Sequence, residues 1–125
     1  MKEYDALIKP EPEKWLELSE ESRIAMIESY ARNHETTIEE EALLLHSSIH
    51  MVVENQLAEN IESTKETYNR LLRQGLYRHE TIHAIGAVVT EDIYDMLKNS
   101  ETFNHDKYKN RLRKLTAKRW KKGKY

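Results

Sequence analysis

No cysteine occurs among the 125 residues, which excludes disulfides, thiolate metal sites and cysteine nucleophiles, so any metal must be held by His, Asp, Glu or backbone oxygen. Glycine is nearly as scarce. The three glycines, at 75, 86 and 123, are isolated, so there is no phosphate-cradling loop and no support for a nucleotide cofactor. A serine-centred nucleophile elbow is missing for the same reason. The two prolines, Pro10 and Pro12, both lie near the start. Long apolar runs are also lacking: Ala42–Leu45 and the Ile49–Val53 stretch fall far short of the roughly 20 residues that cross a bilayer. Met1–Pro10 carries Lys2, Glu3 and Asp5 and no apolar signal-peptide core, from which a cytoplasmic location is expected.

Against these absences stand 38% hydrophobic and 34% charged residues, the composition of a globular chain with extensive solvated faces. One domain over 1–125 is expected. The formal charge of -2 hides an asymmetry. Residues 1–106 hold all 22 acidic side chains against ten basic ones, a net charge of about −12, whereas 107–125 hold the other ten basic side chains and no acidic one.

The periodicity predicts an all-α bundle of about five helices, since no strand pattern or hairpin dipeptide occurs. After an irregular lead-in over 1–11, Pro12 is placed to open a short turn of helix that packs Trp15. A first long helix is expected over 20–33, capped by Ser19, with Ile24, Met26, Ile27, Tyr30 and Ala31 inward. A second spans 38–59 behind a Thr37/Glu40 capping box. A third begins at a Ser63/Glu66 box and stops at Gly75, with Tyr68, Leu71 and Leu72 on its apolar face. A fourth, without a good cap, runs from 77 or 78 to 99 with Ile82, Ile85, Val89, Ile93, Met96 and Leu97 inward. A fifth follows Asn104, carries Tyr108, Leu112 and Leu115, and ends near Lys121.

Four of the six histidines form two i,i+4 pairs: His46 and His50 on the second helix, with Glu54 one turn on, and His79 and His83 on the fourth, with Glu80 beside the first. Residues four apart share a helix face. At 1.5 Å of rise per residue, the twelve-residue third helix returns the chain by roughly 18 Å, which brings His79 and His83 level with His46 and His50. Gly86, lacking a side chain, would let the neighbouring helix approach. One shared site is therefore expected between the second and fourth helices, with His46, His50, Glu54, His79 and His83 as candidate ligands for Zn, Fe or another divalent transition metal. A closed four-His shell would be structural. An open one, with Glu80 or Glu54 left free to work on bound water, would be hydrolytic, and Glu80 is the candidate catalytic residue. The competing reading is a non-enzymatic interaction module whose histidines form a buried hydrogen-bond network with Glu54, Glu80 and backbone carbonyls.

His79-Glu80-x-x-His83 matches the HExxH motif of zinc peptidases, and Gly86 extends the match toward the metzincins. Position 89, which should carry a third histidine, is Val89. An all-α chain also lacks the edge strand on which such peptidases bind substrate. The ferritin-like pattern is half present: Glu80-x-x-His83 supplies one Glu-x-x-His pair, but Leu43 and Ser47 stand where glutamates are needed before His46 and His50.

Lys107–Lys124 interleaves its basic residues with Tyr108, Leu112, Leu115 and Trp120. Such a segment suits an acidic partner or nucleic acid, with Trp120 or Tyr125 stacking on bases. Its aliphatic spacing is that of a packing helix, which favours docking on the acidic body, and the pattern leaves room for an oligomer.

Four segments together resemble a family of small bacterial proteins classed as a domain of unknown function. They are Glu13–Leu16 (EKWL), Leu45–Gln56 (LHSSIHMVVENQ), Arg78–Gly86 (RHETIHAIG) and Leu115–Trp120 (LTAKRW), and the likeness extends over most of 13–120. The resemblance implies a small cytoplasmic bacterial protein. It carries over no activity and assigns no catalytic role.

Overall fold

The computed structural model describes residues 1–123, so Lys124 and the stacking suggested for Tyr125 lie outside the described residues. Seven helices and no strand occur among them: α1 (Pro12–Glu17), α2 (Glu20–His34), α3 (Glu40–Ala58), α4 (Glu62–Arg73), α5 (Arg78–Asn99), α6 (His105–Lys114) and α7 (Ala117–Lys121). None is long and apolar enough to cross a membrane. The all-α bundle is as expected, although its element boundaries differ in three places.

The expected fifth helix is two. Arg70 of α4 donates to the carbonyls of Leu112 and Leu115, closing the C-terminal end of α6, and Leu115 turns extended. Thr116 then caps α7 by accepting from the Arg119 amide. Neither expected capping box forms. Residues 35–38 make a turn closed by the Ile38 amide on the Glu35 carbonyl, so Thr37 sits inside that turn and α3 starts behind Glu39. Before α4, Asn60 takes a left-handed conformation (φ 59°) and the Ile61 amide reaches back to the Gln56 carbonyl. That tight link starts α4 at Glu62 and leaves Ser63 within the first turn. Ser19 and Asn104 do cap their helices, and Gly75 at φ 101° ends α4 as expected.

Burial divides the interior into two apolar clusters. The larger joins Val53 and Leu57 of α3, Tyr68 and Leu71 of α4, Ile82, Ile85, Val88 and Val89 of α5, and Tyr108, Leu112, Leu115 and Ala117. The smaller comprises Tyr4, Ala6, Trp15, Ile27, Tyr30 and Met51, which is the N-terminal segment, α1 and α2 laid against α3. Lead-in residues with no period of their own thus supply two buried side chains. The inward stripe of α5 ends sooner than expected, because Leu97 is 77% exposed and Tyr94 is also outward. From Asp92 onward the helix turns its acidic side to α6, where Arg111 pairs with Asp92 and Asp95 and Lys107 with Asp95. The basic C-terminal segment is therefore docked through its apolar residues, with two of its cations on the acidic body.

α3 and α5 cross closely at Gly86, where an added Cβ would stand 3.0 Å from Ile49 Cγ2. His50 and Glu54 lie on the stripe of α3 between Val53, which faces the large cluster, and Met51, which faces the small one. Polar residues thus occupy the seam between the two apolar clusters.

Candidate metal centre

The two histidine pairs meet, as the level of the helices led us to expect. Ring centroids are 4.9 Å apart for His46 and His50, 4.4 Å for His79 and His83, and 4.9–5.4 Å across the helices for His50 with His83 and with His79, and for His46 with His83. What closes the group was not foreseen. Glu35, in the α2–α3 turn, sends its carboxylate into the middle of the four rings. Its oxygens lie 2.6 Å from His46 Nε2, 2.8 Å from His79 Nε2, 3.6 Å from His83 Nε2 and 3.9 Å from His50 Nε2. Single donor atoms of Glu35, His46, His50 and His83 all fall within 4.8 Å of one another, an arrangement that could hold a metal ion.

His46 and His79 stand at ion-pair distance from Glu35, whereas His50 and His83 lie beyond hydrogen-bond reach of it. Glu35 Oε1 and the Nε2 atoms of His46, His50, His79 and His83 are all buried without a hydrogen-bond partner. Buried polar atoms in native proteins are nearly always paired. Buried, unpaired donor atoms gathered around one carboxylate are what a set of ligands looks like, since metal–ligand bonds of about 2.1 Å put neighbouring donors roughly 3 Å apart.

The protonation states suit ligation. Burial, reinforced by the neighbouring His83, depresses the His50 pKa to about 3 against the pull of Glu35, so the ring is neutral at neutral pH. Burial pushes the Glu35 carboxyl up, but His46, His79 and His83 outweigh it and hold the group well below the usual carboxylate range.

The remaining candidates are placed differently. Glu54 is almost fully buried and accepts two hydrogen bonds from Arg78, at 2.7 and 2.8 Å, and one from the Tyr4 hydroxyl at 2.5 Å. Its oxygens are taken up by these donors, and it is not among the residues whose donor atoms gather. Glu80 is half-buried on α5 and makes no hydrogen bond or ion pair among the described residues. His34 is stacked on Tyr30 at 4.3 Å and belongs to no ligand group.

Sequence reasoning passed over Glu35, Tyr4 and Arg78. Tyr4 is a lone aromatic in aperiodic chain, and Arg78 was seen only as the first residue of the motif. Glu35 did leave a signal. It is the C-cap of α2, where an acid opposes the negative end of the helix dipole, an unfavourable placement that asks for a local reason.

Beside the centre, a groove of about 390 Å³ runs between α3 and α5, walled by Ala42, Leu45, Ile49, Ile82, Gly86 and Ala87. His46, His50 and His83 lie along it, but their Nε2 atoms are shielded from it. Comparison of the chain with models of protein families, with curated proteins and with solved structures finds no match to any of them.

Proposed function

We propose that the protein binds one divalent transition-metal ion through Glu35 and the Nε2 atoms of His46, His50, His79 and His83, and that the ion ties the α2–α3 turn to α3 and α5. The observation that carries this reading is the gathering of buried donor atoms from three separate elements, those of Glu35, His46, His50 and His83 within 4.8 Å of one another and that of His79 beside Glu35. Magnitudes separate it from the hydrogen-bond network. Each unsatisfied buried polar group costs about 1–3 kcal/mol, so the Nε2 atoms of His50 and His83, which stand beyond hydrogen-bond reach of Glu35, would cost roughly 2–6 kcal/mol, a large part of the stability of an ordinary domain. An ion removes that deficit at once.

A donor set of imidazole and carboxylate without thiolate suits Zn, Fe or a neighbouring first-row ion. The hydrolytic variant has less support. A catalytic zinc keeps an open position and a nearby free base, whereas here five donors gather, Glu54 is engaged by Arg78, and Glu80 stands outside the group. A structural or sensing ion fits these facts better than an enzyme's. Membership of the bacterial family of unknown function is part of the same proposal, since the shared segments contain every ligand except Glu35.

The test is elemental analysis of protein purified without chelator or affinity tag, then reconstituted separately with Zn²⁺ and Fe²⁺. About one ion per chain is expected for the parent, and a small fraction of that for Glu35→Gln and His83→Gln. Trace metal in the reconstituted parent, with unchanged melting after chelation, would refute the reading.

A further inference from the structure

We infer that Tyr4 is a positioning residue for the metal centre, fixing His50 in the tautomer whose Nε2 lone pair faces the ion. The inference rests on the metal-binding reading above and adds to it a residue more than forty positions away in sequence.

The argument is a count of protons. Glu54 is buried at 2% exposure, and Arg78 grips its two oxygens at 2.7 and 2.8 Å, so the group is a carboxylate and can only accept. The Tyr4 hydroxyl, 2.5 Å from Glu54 Oε2, must therefore give its single proton to that oxygen. The same hydroxyl lies 3.3 Å from His50 Nδ1. With its proton committed, the Tyr4 oxygen can offer His50 only a lone pair, so the proton between them belongs to Nδ1. A neutral imidazole carries one N–H. His50 Nε2 is then bare, and it is the atom that is buried, unpaired and turned toward Glu35. His50 thus donates to Tyr4 and Tyr4 to Glu54, the carboxylate that Arg78 holds from the other side.

The remaining contacts hold Tyr4 still. Its ring is 4% exposed and packs on Trp15 and Tyr30, with centroids 5.8 and 5.7 Å away. Arg78 also donates to the Ala6 carbonyl at 3.1 Å, anchoring the N-terminal segment two residues beyond the tyrosine. An outer partner that orients a ligating imidazole and fixes its tautomer raises metal affinity, typically by 10–100-fold. Tyr4 supplies that function here, and Glu54 and Arg78 supply it one step further out.

Tyr4→Phe keeps the packed ring and removes only the hydroxyl. Nitrogen-15 spectra of the histidine rings in the full-length, metal-free parent should show His50 protonated at Nδ1 and not at Nε2, and Tyr4→Phe should lose that preference. Zinc affinity, measured by competition with a chelating dye, should fall about 10–100-fold in Tyr4→Phe with unchanged far-ultraviolet circular dichroism. A parent His50 protonated at Nε2 would overturn the inference without any variant. So would a Tyr4→Phe protein whose tautomer is unchanged and whose zinc affinity stays within twofold of the parent's. Failure of the parent to bind zinc would overturn the metal site itself, and the tautomer spectra would still decide the assignment of Tyr4.

Discussion

Replacing Arg78 with methionine would remove the only cation among the described residues that touches Glu54 and leave the carboxylate with the Tyr4 hydroxyl, both groups being under a tenth exposed. Breaking a buried ion pair from one side costs about 3–5 kcal/mol, because the surviving charge stays desolvated and uncompensated. The Ala6 carbonyl loses its donor as well. Since an ordinary domain has 5–15 kcal/mol in total, Arg78→Met should lose roughly a third or more of the stability. Glu54→Leu should cost a similar amount by stranding the guanidinium. In the double variant neither charge remains, and what is left is the Ala6 carbonyl without its donor and a Tyr4 hydroxyl that keeps only its contact with His50, at about 1–3 kcal/mol each at most. The double variant should therefore be less destabilised than the sum of the singles by about 2 kcal/mol or more, a coupling within the range for contacting residues. Urea unfolding of all four proteins in excess chelator measures this directly. Additive losses, or single variants costing under about 1 kcal/mol, would show that Glu54 is not committed to Arg78 and would return it to the list of ligands.

Two further outcomes are expected. In the metal-free protein His50 is held at about 3 and Glu35 well below its ordinary range, so both groups bind protons more readily in the unfolded chain. Their contribution to stability is therefore complete above about pH 6.5 and is lost as pH falls, His50 first and Glu35 from about 4.5 downward, at up to about 1.4 kcal/mol per pH unit for each proton; urea midpoints that do not change between pH 7 and 5 would contradict this. At the C-terminal end, Arg111→Met leaves the buried Asp92 without its partner, and burial already pushes that carboxyl up. A loss of about 1–2 kcal/mol, tempered by the partial exposure of Arg111, should appear with faster amide exchange across α6, and unchanged exchange would show that the clamp does not hold the helix.

The helices and the meeting of the histidine pairs were legible because both follow from regular geometry. A constant rise per residue and a glycine stop after Arg73 set the height of His79 against His46, whatever the side chains in between. The caps at residues 37 and 63 were misjudged because a capping box is a local rule, and the turn at 35–38 and the left-handed Asn60 overrode it. Glu35, Tyr4 and Arg78 stayed hidden for a related reason. Their roles come from the laying of the N-terminal layer against α3, which no periodicity encodes, and only the awkward charge at the end of α2 pointed toward it. The two glutamates nearest the histidines in sequence were the natural ligand candidates, yet the carboxylate that enters the ring of imidazoles comes from another element.

The crossing at Gly86 has a mechanical meaning beyond close packing. It lies within one turn of His83, and its contact, Ile49, is the residue next to His50, so the distance between the two helices at this point also bears on how closely the histidine pairs approach. A single methyl group at position 86 would act as a shim, asking the contact to give by a few tenths of an ångström. That is the scale on which metal–ligand bonds differ, about 2.0 to 2.3 Å. On the proposed metal-binding reading, the hydrogen atom at residue 86 is in this sense a gauge: it would set how wide an ion the two helices could grip.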